Sequence, residues 1–380
     1  MLANLSDRLA RLSSRRWFRA AFRIGAVGLI YWVAASAVLD SFMDHWALGD
    51  KWRKSRFHRA IHFTAPPPFV YRVLTPWLVN EISQHAPEPA RAWLASRTPD
   101  LRVRYQLREE NDVEYAVAYY LIFAAYLGTL LIWRANLVLM GRGSPLLWDL
   151  APPIALLLLP MTFMQGGFIY DAPELFLTSL ALCFFLRRNW LLFYPTFFLV
   201  VLNKDANILL PVWFLALFLI DRNWKSLLRH AALSVAVGAP TFLATHWWFR
   251  DRHDNPLVPL WQTNLRYLTD AKSYWSGFEV YAPHITAPEG FHPFNFFLLA
   301  AVLVFAWRRP YLREIRLVFL LTVLVYLPFF LLFGYMDEIR VFGPSFAALM
   351  LLGTHALREA VVGGDGGGDS PEPRKEEAPR

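Results

Sequence analysis

The chain carries a single cysteine, Cys183, set inside an apolar run. That excludes an intramolecular disulfide and any cysteine-based zinc site. Charged residues are also scarce, at 18%. The glycine-rich signatures G-x-G-x-x-G and the P-loop are missing, and so is the G-x-S-x-G nucleophile elbow. Nothing here supports nucleotide hydrolysis as an energy source. A formal charge of +8 raises the question of nucleic acid. No nucleic-acid motif accompanies it, and much of the basic excess falls in short loops and the N-terminus, where it sets membrane orientation. Nucleic acid is therefore not an expected partner.

What the chain has in quantity is apolar length. It is 56% hydrophobic, with 16 Trp and a mean hydropathy of +0.30. A helix needs about 20 apolar residues to span the hydrocarbon core. Candidate spans run roughly over 23–42, 114–136, 147–167, 172–186, 189–203, 206–220, 231–249, 294–308, 315–334 and 341–358. The expectation is an all-α polytopic membrane protein of about ten spans. Trp and Tyr are expected to form interfacial belts.

Residues 1–22 form the first of three segments. Arg8, Arg11, Arg15, Arg16, Arg19 and Arg23 interleave with Leu5, Leu9, Leu12, Trp17 and Phe18. This predicts a basic amphipathic helix on an anionic cytoplasmic leaflet rather than a cleaved signal; a plain topology signal fits equally well. The transmembrane domain follows over 23–358. Residues 359–380, rich in Gly, Pro and charge, are expected to be a disordered cytoplasmic tail.

The stretch 189–220 is either one long helix or a hairpin broken at Asn203-Lys204-Asp205-Ala206-Asn207. Charge bias favours the hairpin. It puts the basic loops at Arg187–Arg188, Arg222–Lys225–Arg229 and Arg308–Arg309–Arg313–Arg316 on the side of the basic N-terminus. Two sizeable loops, about 43–112 and 250–293, then lie outside. An amphipathic stretch, Phe69–Ser83, is too short and charged to span and reads as a surface helix in the first of these loops.

That threading gathers distant charges on the outer face. Asp40 and Asp44 end the first span at i, i+4 spacing, on one helical face. Arg72 follows in the first outer loop. Asp171 and Glu174 open the fourth span, Lys204 and Asp205 sit in the hairpin turn, and Asp337, Glu338 and Arg340 precede the last span. Each has a bland reading as a solvated helix end complementing the dipole. Lys204 and Asp205 differ, because helices of about 14 residues cannot carry their turn to bulk water without thinning the bilayer. Ionisable groups at depth are functional candidates. Three cations beside carboxylates suit a lipid-linked phosphate leaving group, with an Asp activating an acceptor hydroxyl. A salt-bridge cluster that only pins helices is the competing reading. The spacing His58-x-x-x-His62 fits a metal pair, but surface histidines explain it as well.

Several phrases carry a resemblance: YRVLTPWL at 71–78, YDAPELFLTSLAL at 170–182, NKDANILLP at 203–211 and DEIRVFGPSF at 337–346. Together with a first span followed by a large outer loop with surface helices, they make the chain resemble the C-type glycosyltransferase superfamily (GT-C). The resemblance implies an inverting transfer of a sugar from a polyprenyl-phosphate carrier to a glycan, lipid or protein acceptor. It implies Asp44 as general base with Asp40 in support, and Arg72, Lys204 and Arg340 as carrier-phosphate contacts. Some members use a divalent metal and others do not, so it leaves the cofactor open. Together with Arg-rich usage it implies a bacterial inner membrane, with both termini cytoplasmic and the active face periplasmic. Two rivals are a transporter or flippase of a lipid-linked substrate, and a non-catalytic scaffold of an envelope-assembly complex. Transporters place charged sites near the midplane between repeats. Charges gathered toward one face, with no evident inverted repeat, favour the enzyme.

Overall fold

The structure, a computed structural model, describes residues 16–46, 48, 57–105, 112–140, 145–157, 167–251, 259–275, 278–281, 285–288, 291–307, 309–334, 336 and 338–362. Helices dominate them. In chain order these are α1 (Arg16–Trp46), α2 (Phe57–Ile61), α3 (Leu74–His85), α4 (Glu88–Tyr105), α5 (Asp112–Leu139), α6 (Pro145–Leu157) and α7 (Asp171–Leu186). There follow α8 (Trp190–Asn203), α9 (Trp213–Asp221), α10 (Trp224–Trp248), α11 (Trp261–Thr269), α12 (Pro293–Trp307), α13 (Arg313–Phe333) and α14 (Phe346–Val362). One short antiparallel hairpin, β1 (Phe278–Tyr281) and β2 (Ile285–Pro288), interrupts the helices. Among the described residues, four apolar stretches are long enough to cross a membrane: Arg19–Asp44, Val113–Leu139, Trp224–Trp248 and Pro310–Phe333. Shorter apolar helices, including α6, α8 and α12, stand beside them.

The apolar runs became helices close to where their lengths predicted, with three differences. The third expected span, 147–167, is helical as far as Leu157, and residues 158–166 lie outside the described residues. The last helix begins at Phe346 rather than near 341, because Pro344 lies in a 3-10 turn over Ile339–Ser345. That helix runs through Val362, past the expected start of the tail at 359. The amphipathic segment expected over residues 1–22 is described only from Arg16 onward, and the tail beyond Val362 is outside the described residues.

The 189–220 stretch is a hairpin. At one end, Arg188 pairs with Glu314 through two hydrogen bonds of 2.7 and 3.0 Å. Arg313 reaches the Leu219 carbonyl at 3.4 Å. The start of α8 and the end of α9 therefore both sit at the start of α13. Between the two helices, Asp205–Val212 winds as a 3-10 segment containing Pro211, which has no N–H for an α-helical bond. Tyr326 of α13 donates its hydroxyl to the Ala206 carbonyl at 3.1 Å, so a carbonyl freed by the turn finds a partner. At a rise of 1.5 Å per residue, α8 is about 21 Å long, shorter than the roughly 30 Å hydrocarbon core.

Helices α5 and α7 run parallel and close. Gly128 lies against Phe176, where a Cβ would stand 2.7 Å from the ring. Farther along both helices, Trp133 donates to the Ser179 hydroxyl at 2.8 Å. Trp213 of α9 donates likewise to Thr322 of α13 at 2.8 Å. These buried indole bonds fix helix register where apolar packing alone tolerates sliding.

Two cysteine positions test the hairpin. In a Cys183→Ser background, Arg187→Cys and Arg222→Cys should both react with a membrane-impermeant maleimide from the same side of oriented vesicles. Reaction from opposite sides would mean that the stretch crosses once.

Candidate functional site

The phrase Tyr170-Asp-Ala-Pro-Glu opens α7 and turns both of its carboxylates inward. Asp171 and Glu174 are buried, at 4% and 3% exposure, so neither is a solvated helix end. Asp171 Oδ2 accepts the Phe168 amide at 2.8 Å and the Arg340 NH1 at 3.0 Å. Glu174 is held on both oxygens, by Lys204 Nζ at 2.7 Å and by Asn207 Nδ2 at 3.0 Å. The same Tyr326 hydroxyl lies 2.9 Å from the Asn207 side-chain oxygen, so its one proton is shared between that oxygen and the Ala206 carbonyl. Lys204 also lies 4.0 Å from Asp171. The hairpin turn therefore brings its ammonium to carboxylates thirty residues earlier, and the desolvated charges are paired.

Asn203 fastens the segment that leads into α3 to this cluster. Its side chain donates to the Tyr170 carbonyl at 2.9 Å and accepts from Thr75 at 2.5 Å. The Val73 amide donates to the Leu202 carbonyl at 2.9 Å. Arg72, next in the chain to Val73, is thereby carried onto Tyr170: it donates to the Tyr170 hydroxyl, and its guanidinium lies 4.3 Å from that ring's centre. Phe168 stacks on Tyr170 at 5.3 Å, and Arg340 lies 4.4 Å over Phe168. Two guanidiniums thus bracket a pair of stacked rings.

The three cations differ in how they are satisfied. Lys204 is paired with Glu174, and Arg340 is paired with both Asp171 and Glu338. Arg72 makes no ion pair among the described residues, and its buried Nε has no hydrogen-bond partner. Burial pulls the Arg72 guanidinium below its ordinary value. Arg340 pushes the same way, and Asp205 is the strongest of the carboxylates opposing it. An arginine remains protonated under such a shift. The Nε of Arg340 and the Oδ1 of Asp171 are likewise buried without a hydrogen-bond partner.

Asp205 faces a histidine that the sequence did not single out. His246 Nε2 is 3.6 Å from Asp205 Oδ2, and its Nδ1 is 2.9 Å from the Phe242 carbonyl. Its ring lies between Tyr71 and Phe242, at 3.8 and 3.9 Å. Asn264 was also missed. It sits at the end of α13, donates to the Leu331 and Gly334 carbonyls at 3.0 and 2.8 Å, and accepts the Met336 amide at 3.0 Å. This cap aims the 336–340 segment at the cluster.

The two expected base residues separate. Asp40 is held by α4, accepting the Tyr105 hydroxyl and pairing with Arg104, both at 2.6 Å. Burial, then the bond to Asp40, pushes the Tyr105 hydroxyl well above its ordinary value. Asp44 lies on the exposed side of the last turn of α1. On other faces of that turn, Phe42 and Trp46 press on Gly167, where a Cβ would meet them at 2.4 and 2.8 Å. Gly167 leads directly into Phe168, so α1 ends beside the cluster. Asp337 lies outside the described residues. Among the described residues no three or more His, Cys, Asp or Glu side chains are placed to hold a metal. His58 and His62 stack edge to face at 4.4 Å, with His62 3.9 Å from Glu114. No protein-family model matches the chain, and no curated protein or solved structure shows significant similarity to it.

Breaking the buried pair on one side is the sharpest test of this packing. Lys204→Met leaves Glu174 buried and short of its cation, so it should destabilise the fold by about 3–5 kcal/mol. The double change Lys204→Met with Glu174→Gln should recover most of that loss. Thermal unfolding in detergent checks both. Equal melting for wild type and Lys204→Met would mean that the pair is hydrated.

Proposed function

We propose that the chain is a membrane glycosyltransferase of the GT-C kind, with about ten spans and its site on the periplasmic face of a bacterial inner membrane. Its donor is a sugar on a polyprenyl-phosphate carrier. The observation that carries this reading is Arg72, a cation beside a buried charge cluster whose guanidinium has no carboxylate partner among the described residues. A half-buried arginine whose Nε is shut from solvent, without an anion, calls for one, and a guanidinium fork fits a phosphate. The hairpin depth of Lys204 suits a carrier lying in the bilayer.

In this reading the acceptor hydroxyl attacks the anomeric carbon from the face opposite the phosphate. The carbon–oxygen bond to the phosphate breaks, and the bond electrons leave with the lipid phosphate. Arg72 stabilises that growing charge. Asp44 takes the hydroxyl proton, the role that the resemblance gives it, with Asp40, held by Arg104 and Tyr105, in support. Lys204 and Arg340, paired with carboxylates, hold the site's shape and its field. The transporter reading draws no comparable support, since Arg72, Lys204 and Arg340 gather at one end of the bundle with no evident inverted repeat.

Purified protein given polyprenyl-phosphate sugars and an acceptor should release polyprenyl phosphate. Asp44→Asn should lower that turnover by about 10²–10⁴-fold, the usual contribution of a positioned base. Turnover unchanged by Asp44→Asn would remove Asp44 from the mechanism. In the same assay, Arg72→Lys should lose activity while melting as the wild type does, and full activity would remove the phosphate contact.

A further inference from the structure

A second ionic cluster lies at the opposite end of the bundle. Asp149 of α6 is buried, with its side chain 6% exposed. Arg23 of α1 donates Nε to Asp149 Oδ2 at 2.7 Å and NH2 to the Pro145 carbonyl at 3.1 Å. Arg134 of α5 donates Nε to Asp149 Oδ1 at 2.8 Å. Trp133, beside Arg134, meets α7 at Ser179, farther along that helix than Glu174. The cluster therefore sits away from the candidate site, near the start of α1, the end of α5 and the start of α6.

One carboxylate serves two guanidiniums here, so the cluster holds a net positive charge. Asp149 takes Arg134 by its Nε, and Arg23 by its Nε and, at 2.5 Å, its NH2, and thereby fixes both forks. Neither terminal nitrogen of Arg134 has an acceptor among the described residues, and neither does NH1 of Arg23. Both guanidiniums remain open, with side chains 45% and 37% exposed. On the same helices, close in sequence to the cluster, Phe22, Ile24, Leu146 and Val138 are all exposed large hydrophobics. Such residues face acyl chains in a membrane. Two held forks at the ends of apolar helices suit the phosphate of a phospholipid, which sits where a spanning helix meets the headgroups.

The geometry points to a binding site for an anionic phospholipid, in which Arg23 and Arg134 hold the headgroup phosphate and Asp149 positions them. Phosphatidylglycerol fits the charge. Phosphatidylcholine does not, because its phosphate is neutralised by its own choline. This inference is independent of the transferase reading.

The test uses the full chain in dodecyl maltoside, titrated with phosphatidylglycerol, phosphatidylcholine or inorganic phosphate, with bound molecules counted by native mass spectrometry. Phosphatidylglycerol should bind saturably, and the other two at least about tenfold more weakly. Arg134→Lys keeps a charge beside Asp149 but loses the fork, and should weaken phosphatidylglycerol binding about tenfold, the loss of one charge-assisted hydrogen bond. Arg222→Gln, a basic residue on the α9–α10 turn, should leave it unchanged. Equal binding of the two lipids, or no effect of Arg134→Lys, would overturn the site. Inorganic phosphate binding as well as phosphatidylglycerol would show a free-anion site instead. Should Arg134→Lys fail to fold, the wild-type comparison of the three ligands decides alone.

Discussion

The buried contact between Lys204 and Glu174 is the constraint on which the rest of the site depends. Lys204 is buried, so its ammonium must find a counter-charge. It finds Glu174, and Asn207 takes the other carboxylate oxygen. With Tyr326 bonded to Asn207, one carboxylate ties together α7, the hairpin and α13. The remaining assignments follow. Asp171, one turn before Glu174, is left to Arg340. Asn203, one residue before Lys204, is turned toward Tyr170 and Thr75. The outer loop is thereby docked with Arg72 over the aromatic pair rather than beside a carboxylate.

That chain of dependence separates cations that hold the structure from the one that remains available. Lys204 and Arg340 keep buried carboxylates in place, and losing either would leave a charge unpaired. Arg72 is held through a phenol and two rings, which fix its position without neutralising it. A guanidinium so placed keeps its charge for an incoming anion. The opposite end of the bundle repeats the pattern in another form. There Asp149 fixes Arg134 by Nε and Arg23 by Nε and NH2, and further donors of each remain.

Much of the fold was legible because span length and charge bias are read directly from residue order. The hairpin at 189–220 could be argued from the side on which the basic loops at Arg187–Arg188 and Arg313–Arg316 must lie, and Arg188 and Leu219 both meet the start of α13. The gathering of Arg72, Asp171, Glu174, Lys204, Asp205, Glu338 and Arg340 could be argued from threading alone. What threading did not give was depth and pairing. Asp171 and Glu174 looked like ordinary helix ends, yet both are buried. Their partners depend on how α7 rotates against the hairpin, a tertiary choice. Asn264 and His246 were invisible for the same reason, since each acts through packing between helices distant in sequence. The arginines at 23 and 134 are 111 residues apart and meet only through Asp149. The β1–β2 hairpin in the second outer loop was not expected either.

The reading that Arg72 receives a lipid phosphate is tested most directly by a cryo-electron microscopy structure with polyprenyl phosphate bound. Phosphate density within hydrogen-bond reach of the Arg72 guanidinium, with Lys204 still on Glu174, is the expected result. A phosphate seated elsewhere, with Arg72 still on Tyr170 alone, would contradict it.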